Sequence, residues 1–234
     1  MSDRLARRPE AIRAMFGRAA GRYDLLNRLM SLRRDVAWRR RLVGALASAP
    51  PGPVLDLATG TGDVALAIRS RSVLGGDFCF EMLALARRKA RRRGRAAAWL
   101  AADALALPFP PGSLAAVTVA FGVRNFVDLD AGLREIRRVL VPGGVLAILE
   151  LHRPRRRAVA AAARAWNRWV TTPLGRLLSA DEEAYAYLPA SIDTFPDRVE
   201  MGERLTAAGF GLRASRDLSG GIAALTVGWR KEGA

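Results

Sequence analysis

The sequence predicts an α/β fold: a Rossmann-like, doubly wound and mostly parallel sheet with antiparallel strands at its C-terminal end. Three observations predict it. Short apolar runs alternate with helix-patterned segments between residues 54 and 151, as βα units do. The first run, Val54-Leu55-Asp56-Leu57-Ala58, opens directly into Thr59-Gly60-Thr61-Gly62-Asp63, a glycine turn placed where such sheets gather ligands. At the other end, the runs 212–218 and 222–229 flank Gly220-Gly221 and should pair antiparallel. The 234 residues, half of them hydrophobic, suit one such domain with embellishments.

Across residues 11–47 apolar side chains recur at helical spacing (Ile12, Met15, Phe16; Leu25, Leu26, Leu29; Val36, Trp38, Leu42). This predicts two or three helices broken near Gly21 and Ser31. Pro50-Pro51-Gly52-Pro53 ends that region as a turn. Strands are expected at 54–58, 73–78, 97–101, 114–121 and 145–151. Between them lie a short helix to about residue 69, a strongly basic helix over 81–93 and another over 130–140. Pro142-Gly143-Gly144 turns into the fifth strand. A helix over 155–170 places Val159, Ala163, Trp166 and Val170 on one face, with Arg157, Arg164 and Arg168 roughly opposite. Residues 185–195 read as a loop-rich aromatic stretch containing Tyr185 and Tyr187. Residues 201–208 form a helix stopped by Gly209.

The formal charge is +16, and of the 38 basic residues all but Lys89 and Lys231 are arginine. Such lopsided usage beside abundant Ala and Gly fits GC-rich coding. The arginine clusters are scattered and no nucleic-acid module accompanies them, so no nucleic acid is expected as partner. An anionic membrane surface would attract the same charge. No run approaches the ~20 apolar residues of a membrane span. Cys79 is alone, which fits a reducing compartment, and the first ten residues do not read as a secretory signal. The expectation is a cytoplasmic protein, with peripheral contact at the inner membrane face compatible with the sequence.

Gly60 and Gly62 permit a tight turn and close backbone approach, and Gly60-Thr61-Gly62-Asp63-Val64-Ala65 even satisfies a dinucleotide fingerprint. Asp77 ends the second strand, where a carboxylate suits a ribose diol; ribose belongs to nicotinamide and sulfonium cofactors alike. Two more stretches separate them: Ala102-Asp103-Ala104 after the third strand, and Arg137-Arg138-Val139-Leu140-Val141-Pro142-Gly143-Gly144 before the fifth. The whole set resembles the class I S-adenosylmethionine methyltransferases. That resemblance implies that Thr61 in the Gly60–Gly62 turn meets the methionine part of S-adenosyl-L-methionine, Asp77 the ribose, and Asp103 and Ala104 the adenine.

Further stretches narrow the family. Met15-Phe16, Tyr23-Asp24, Asn27, Ser31, Asp35, Trp38 and Arg39 form an N-terminal signature. Phe121-Gly122-Val123-Arg124-Asn125 closes the fourth strand. Tyr187-Leu188-Pro189, Ser191-Ile192 and Phe195-Pro196 precede Ala208-Gly209-Phe210 and Gly220-Gly221-Ile222. Over residues 16–228 these resemble the ubiquinone/menaquinone C-methyltransferases. The chain departs from the family at Arg33, usually glycine, at Ala120, serine in some members, and at Cys79 and His152, usually serine. It also has a shortened stretch from Asp63 to Asp77, implying a clipped first helix or a tighter return loop.

The resemblance implies methylation of a lipid quinol, demethylmenaquinol or its ubiquinone-pathway counterpart. The alternative is a class I methyltransferase acting on another small acceptor or on RNA. It also divides the single domain into an N-terminal helical lid (1–49), a cofactor-binding core (50–153), an acceptor-side insertion (154–200) and a C-terminal helix with strands (201–234). Methyl transfer to a ring carbon needs a phenolate and exclusion of water, and no metal. Arg124 and Asn125 past the fourth strand are candidates to stabilise that phenolate and order a water. The alternative is that they tie down the next loop. Tyr23 and Asp24 would come from the lid, with Asp24 either a general base or an N-cap for a helix starting at Leu25. His152 is more readily structural than catalytic, and Cys79 caps or packs the helix after strand two. A homodimer is compatible with the sequence.

Overall fold

The computed structural model describes residues 9–19, 21, 23–171 and 190–232. Tyr185 and Tyr187 therefore lie outside the described residues, as does the side chain of Tyr23. Seven strands form one sheet: β1 (Val54–Leu57), β2 (Val73–Asp77), β3 (Ala98–Ala101), β4 (Leu114–Ala120), β5 (Leu140–Leu151), β6 (Phe210–Leu218) and β7 (Ala223–Arg230). Their order is β3-β2-β1-β4-β5-β7-β6. The first five run parallel, and β7 lies antiparallel between β5 and β6. From β1 the chain winds outward through β2 and β3, then returns to the opposite flank of β1 as β4. That reversal opens a crevice at the carboxyl ends of β1 and β4, where ligands of such sheets bind.

Alternation along the strands divides two apolar layers. Leu55, Leu57, Leu146 and Ile148 face Leu133 and Ile136 of α5 (Leu129–Val139) and Leu205 of α7 (Arg198–Ala207). Val54, Val145, Ala147 and Leu149 face the other way, onto Trp38 and Leu42 of α3 (Arg34–Gly44). Two helix starts have a local cause. The Asp128 carboxylate accepts the Ala131 N–H ahead of α5, and Asp197 with Glu200 closes a capping box ahead of α7. The remaining helices are α1 (Pro9–Ala19), α2 (Tyr23–Met30), α4 (Phe80–Arg92) and α6 (Arg157–Trp166). Breaks between α1, α2 and α3 fall at Gly21 and at Ser31–Arg33, close to the positions the sequence predicts.

Three details differ from expectation. The helix expected after the glycine turn is a single 3-10 turn, Ala65–Ala67; the shortened stretch leaves no room for more. Pro142-Gly143-Gly144 is a bulge inside β5 and not a turn before it, because Leu140 already pairs with Leu114 while Val145 pairs with Ala116. The long helix over 155–170 ends as α6 at Trp166 and continues as one π turn, Asn167–Thr171. None of the α6 side chains is fully buried, so it is not a layer against the sheet. Trp166 instead donates its indole N–H to the carbonyl of Met30, 2.9 Å away, tying α6 to the end of α2. Arg33 sits at φ 60° in the left-handed region that glycine adopts freely.

Candidate active site

The crevice rests on Asp56, buried in the middle of β1. One carboxylate oxygen accepts the Thr118 hydroxyl of β4 at 2.7 Å. The other accepts the Thr59 hydroxyl at 2.5 Å and the Ala65 N–H at 3.0 Å. This single side chain therefore fixes both ends of the glycine turn and the neighbouring strand. Burial raises its pKa to about 6 against the pull of those donors. Close approach also depends on glycine. A Cβ on Gly62 (φ +82°) would meet the Trp99 ring at 2.6 Å, and one on Gly122 would meet the Cβ of Ala58 at 2.4 Å. Any side chain at either position would force β3 or β4 away from the mouth.

Asp77 ends β2 with its carboxylate turned inward. Its Oδ2 accepts the Gly60 N–H at 2.7 Å, and its Oδ1 accepts the Cys79 N–H at 2.9 Å. Burial raises its pKa, and the N–H groups of Cys79, Gly60 and Phe78 oppose the rise. A carboxylate offers about four acceptor sites, so two backbone donors leave capacity for a diol beside Gly60. Asp103 is exposed after β3 and caps Leu105 N–H at 2.9 Å, with Ala104 half-buried next to it. Gly60, Thr61, Gly62, Asp77, Asp103 and Ala104 thus stand at the ends of β1, β2 and β3 around one mouth. This chemistry, a buried acidic acceptor beside a glycine turn and a second rim acid, fits an adenosine-containing cofactor.

Asp24 is the second residue of α2, and its carboxylate does not cap that helix. It accepts the Thr61 hydroxyl at 2.5 Å and the Lys89 ammonium at 2.5 Å. The N-cap alternative is thereby corrected: the side chain reaches across to the glycine turn. Lys89 of α4 also donates to the Thr61 oxygen and to Asp63, each at 2.8 Å. Burial would raise the Asp63 pKa, but Lys89, then Arg39 and Arg28, outweigh it and hold this carboxyl below its usual value.

Arg124 and Asn125 form a short 3-10 turn after β4. Arg124 is only 5% exposed. Its guanidinium donates to the Phe121 carbonyl at 2.9 Å and to Glu150 of β5 at 2.5 Å. Its backbone N–H also reaches Glu150, at 3.3 Å. Glu150, 1% exposed, is a charged residue inside an otherwise apolar strand. Such a residue is seldom buried unless paired, so a lone acid in the apolar run 145–151 is itself a signal in the sequence. Lys89, one of two lysines in an arginine-rich chain, is a second such signal.

His152 follows β5 and is buried against the Phe195 ring, with centroids 5.6 Å apart. Burial lowers its pKa, with Glu150 opposing. Cys79 precedes α4 without capping it. Its thiol meets Glu81 at 3.1 Å, and burial pushes its pKa up to about 11, which makes it a packing group and not a nucleophile.

A parallel sheet with a C-terminal antiparallel pair, a glycine turn after β1 and an acid ending β2 define the class I methyltransferase architecture. A solved structure from Thermotoga maritima, described as a SAM-dependent methyltransferase and possible histamine N-methyltransferase, superposes with a TM-score of 0.64. It is 18% identical, over 93% of this chain and 99% of that one. Residues 5–230 match the model of the ubiE/COQ5 methyltransferase family, and the chain belongs to that family. It is 48% identical to a demethylmenaquinone methyltransferase of Thermus thermophilus, over 92% of this chain and 100% of the relative. It is 43% identical to a ubiquinone/menaquinone biosynthesis C-methyltransferase of Geobacter sp. strain M21, over 96% of this chain and 98% of the relative.

Proposed function

We propose that the protein methylates a ring carbon of demethylmenaquinol, completing a menaquinol, with S-adenosylmethionine as methyl donor. The family match across residues 5–230 carries this reading, and the acidic and glycine groups at the strand ends support it. S-adenosylmethionine, when bound, supplies an electrophilic methyl group on a sulfonium sulfur. The chain's own task is to hold both partners and shed water. Asp77 accepts from the ribose, Thr61 and the Gly60–Gly62 turn seat the methionine part, and Asp103 with Ala104 receives the adenine. On the acceptor side, Arg124 steadies the developing phenolate while Asn125 orients the ring oxygen or a water that takes the phenolic proton. Arg124 is permanently charged and cannot be the base. Asp24 is the carboxylate nearest the glycine turn from the lid side and is proposed for that role. Incubation with labelled S-adenosylmethionine and reduced demethylmenaquinone is expected to give labelled menaquinone. No product under reducing conditions would defeat the quinol assignment.

Contact with a membrane surface is a second part of the proposal, favoured by a specific patch. Leu25 (53%), Leu29 (41%) and Leu32 (61%) are exposed along one side of α2 and its end, and Trp169 is 73% exposed. The Trp166–Met30 hydrogen bond brings these segments side by side, and the exposed Arg33, Arg34, Arg164 and Arg168 accompany them. Apolar groups amid arginine are the composition of an interfacial anchor. No helix among the described residues is long and apolar enough to cross a membrane. The protein is expected to sediment with phosphatidylglycerol vesicles and less with phosphatidylcholine. Leu32→Ser with Trp169→Ala is expected to reduce the bound fraction severalfold; undiminished sedimentation of that variant would remove this patch from the account.

A further inference from the structure

Lys89 occupies an unusual place for this chain. On α4 the buried face is Met82, Leu83, Ala86 and Ala90, and the flanking Arg87, Arg88, Arg91 and Arg92 are exposed. Only at the boundary between these faces does the helix carry lysine. Its ammonium meets three acceptors at once: Asp24 Oδ2 at 2.5 Å, Thr61 Oγ1 at 2.8 Å and Asp63 Oδ1 at 2.8 Å. An ammonium has three donors arranged around one point, whereas a guanidinium spreads its donors along a planar fork. Three acceptors converging on one nitrogen therefore select lysine, even where the rest of the chain uses arginine.

These contacts join separate segments. Asp24 belongs to α2, Thr61 and Asp63 to the glycine turn, and Lys89 to α4. Arg39 of α3 adds a 3.7 Å contact to Asp63, and Arg28 of α2 one at 4.0 Å. We propose that Lys89 is a positioning residue whose three-way grip clamps the first turn of α2 onto the glycine turn. The clamp slows escape of the cofactor from beneath the N-terminal helices. This rests on the glycine turn being the cofactor site, but the clamp itself exists without ligand and can be measured so.

Lys89→Met leaves two carboxylates facing each other across a half-buried space. It is expected to speed amide exchange in α2 while α5 and β5 keep their protection. It is also expected to weaken adenosylhomocysteine binding about tenfold, the worth of one charge-assisted hydrogen bond, mainly through faster dissociation in stopped-flow. Lys89→Arg should not restore the wild-type dissociation rate. Adding Asp24→Asn to Lys89→Met should cost little more, because the two side chains act as one unit. Should Lys89→Met fail to fold, Lys89→Arg carries the same readouts. Wild-type α2 exchange and dissociation rate in the folded Lys89 variants would overturn the proposal. Failure of the wild-type protein to bind adenosylhomocysteine would instead strike the cofactor reading, leaving α2 exchange as the test of the clamp.

Discussion

Asp77→Ala is expected to weaken adenosylhomocysteine binding by about 100-fold, corresponding to one or two charge-assisted hydrogen bonds of ~1.5–3 kcal/mol each. The size follows from what the carboxylate does in the structure. It sits at the end of β2, 6% exposed, with one oxygen on the N–H of Gly60 and the other on that of Cys79. Removal deletes the proposed acceptor for the ribose diol. It also frees the peptide at Gly60 whose position shapes the turn. The two effects can be separated. Asp77→Asn keeps the shape and one acceptor oxygen, enough for the N–H of Gly60 or of Cys79 but not for both, so it should loosen the turn less, and lose less affinity, than alanine. A thermal melt of the unliganded variants reports the turn, and calorimetry with adenosylhomocysteine reports the site. Affinity unchanged in Asp77→Ala would remove this residue from the cofactor assignment.

The sheet was readable in the sequence because its strands are short apolar runs broken by glycine and proline, a pattern that local physics decides. The N-terminal breaks at Gly21 and Ser31–Arg33 were readable for the same reason. What escaped was set by partners distant in sequence. The 3-10 turn at Ala65–Ala67 is the clipped helix that the short stretch from Asp63 to Asp77 implies, but its anchoring to Asp56 through the Ala65 N–H is announced by nothing local to residues 63–69. Pro142-Gly143-Gly144 looks like a turn, yet pairing of Leu140 with Leu114 pulls it into β5 as a bulge.

The site divides likewise. Residues that motifs mark, Gly60, Asp77 and Asp103, appear at the strand ends where the sequence puts them. The groups that hold them are only visible in three dimensions: Lys89 is 65 residues from Asp24, and Glu150 is 26 from Arg124. The arginine excess also acquires partial explanation. Arg71 binds the carbonyls of Ala49 and Pro50, Arg95 that of Ile68, and Arg138 those of Leu107 and Phe109. Each ties a loop to the body of the domain, whatever coding bias supplied it.

Arg124→Ala is expected to lower stability by about 3–5 kcal/mol as well as turnover, because it strands the Glu150 carboxylate in a dry interior. A fall in activity from that variant alone would therefore say little about phenolate stabilisation. The informative comparison is with Arg124→Met/Glu150→Met, in which both charges leave together. Replacing a buried pair by apolar side chains of similar volume is often close to neutral, so the double variant should recover most of the lost melting temperature. If Arg124 acts on the acceptor, turnover of the double variant stays depressed at least tenfold while adenosylhomocysteine binding remains near wild type, since the pair stands at β4 and β5 and makes no contact with Asp77. Recovery of turnover together with stability would mean that Arg124 serves only to anchor the loop after β4. The phenolate would then have to be steadied by Asn125 or by a group from the lid.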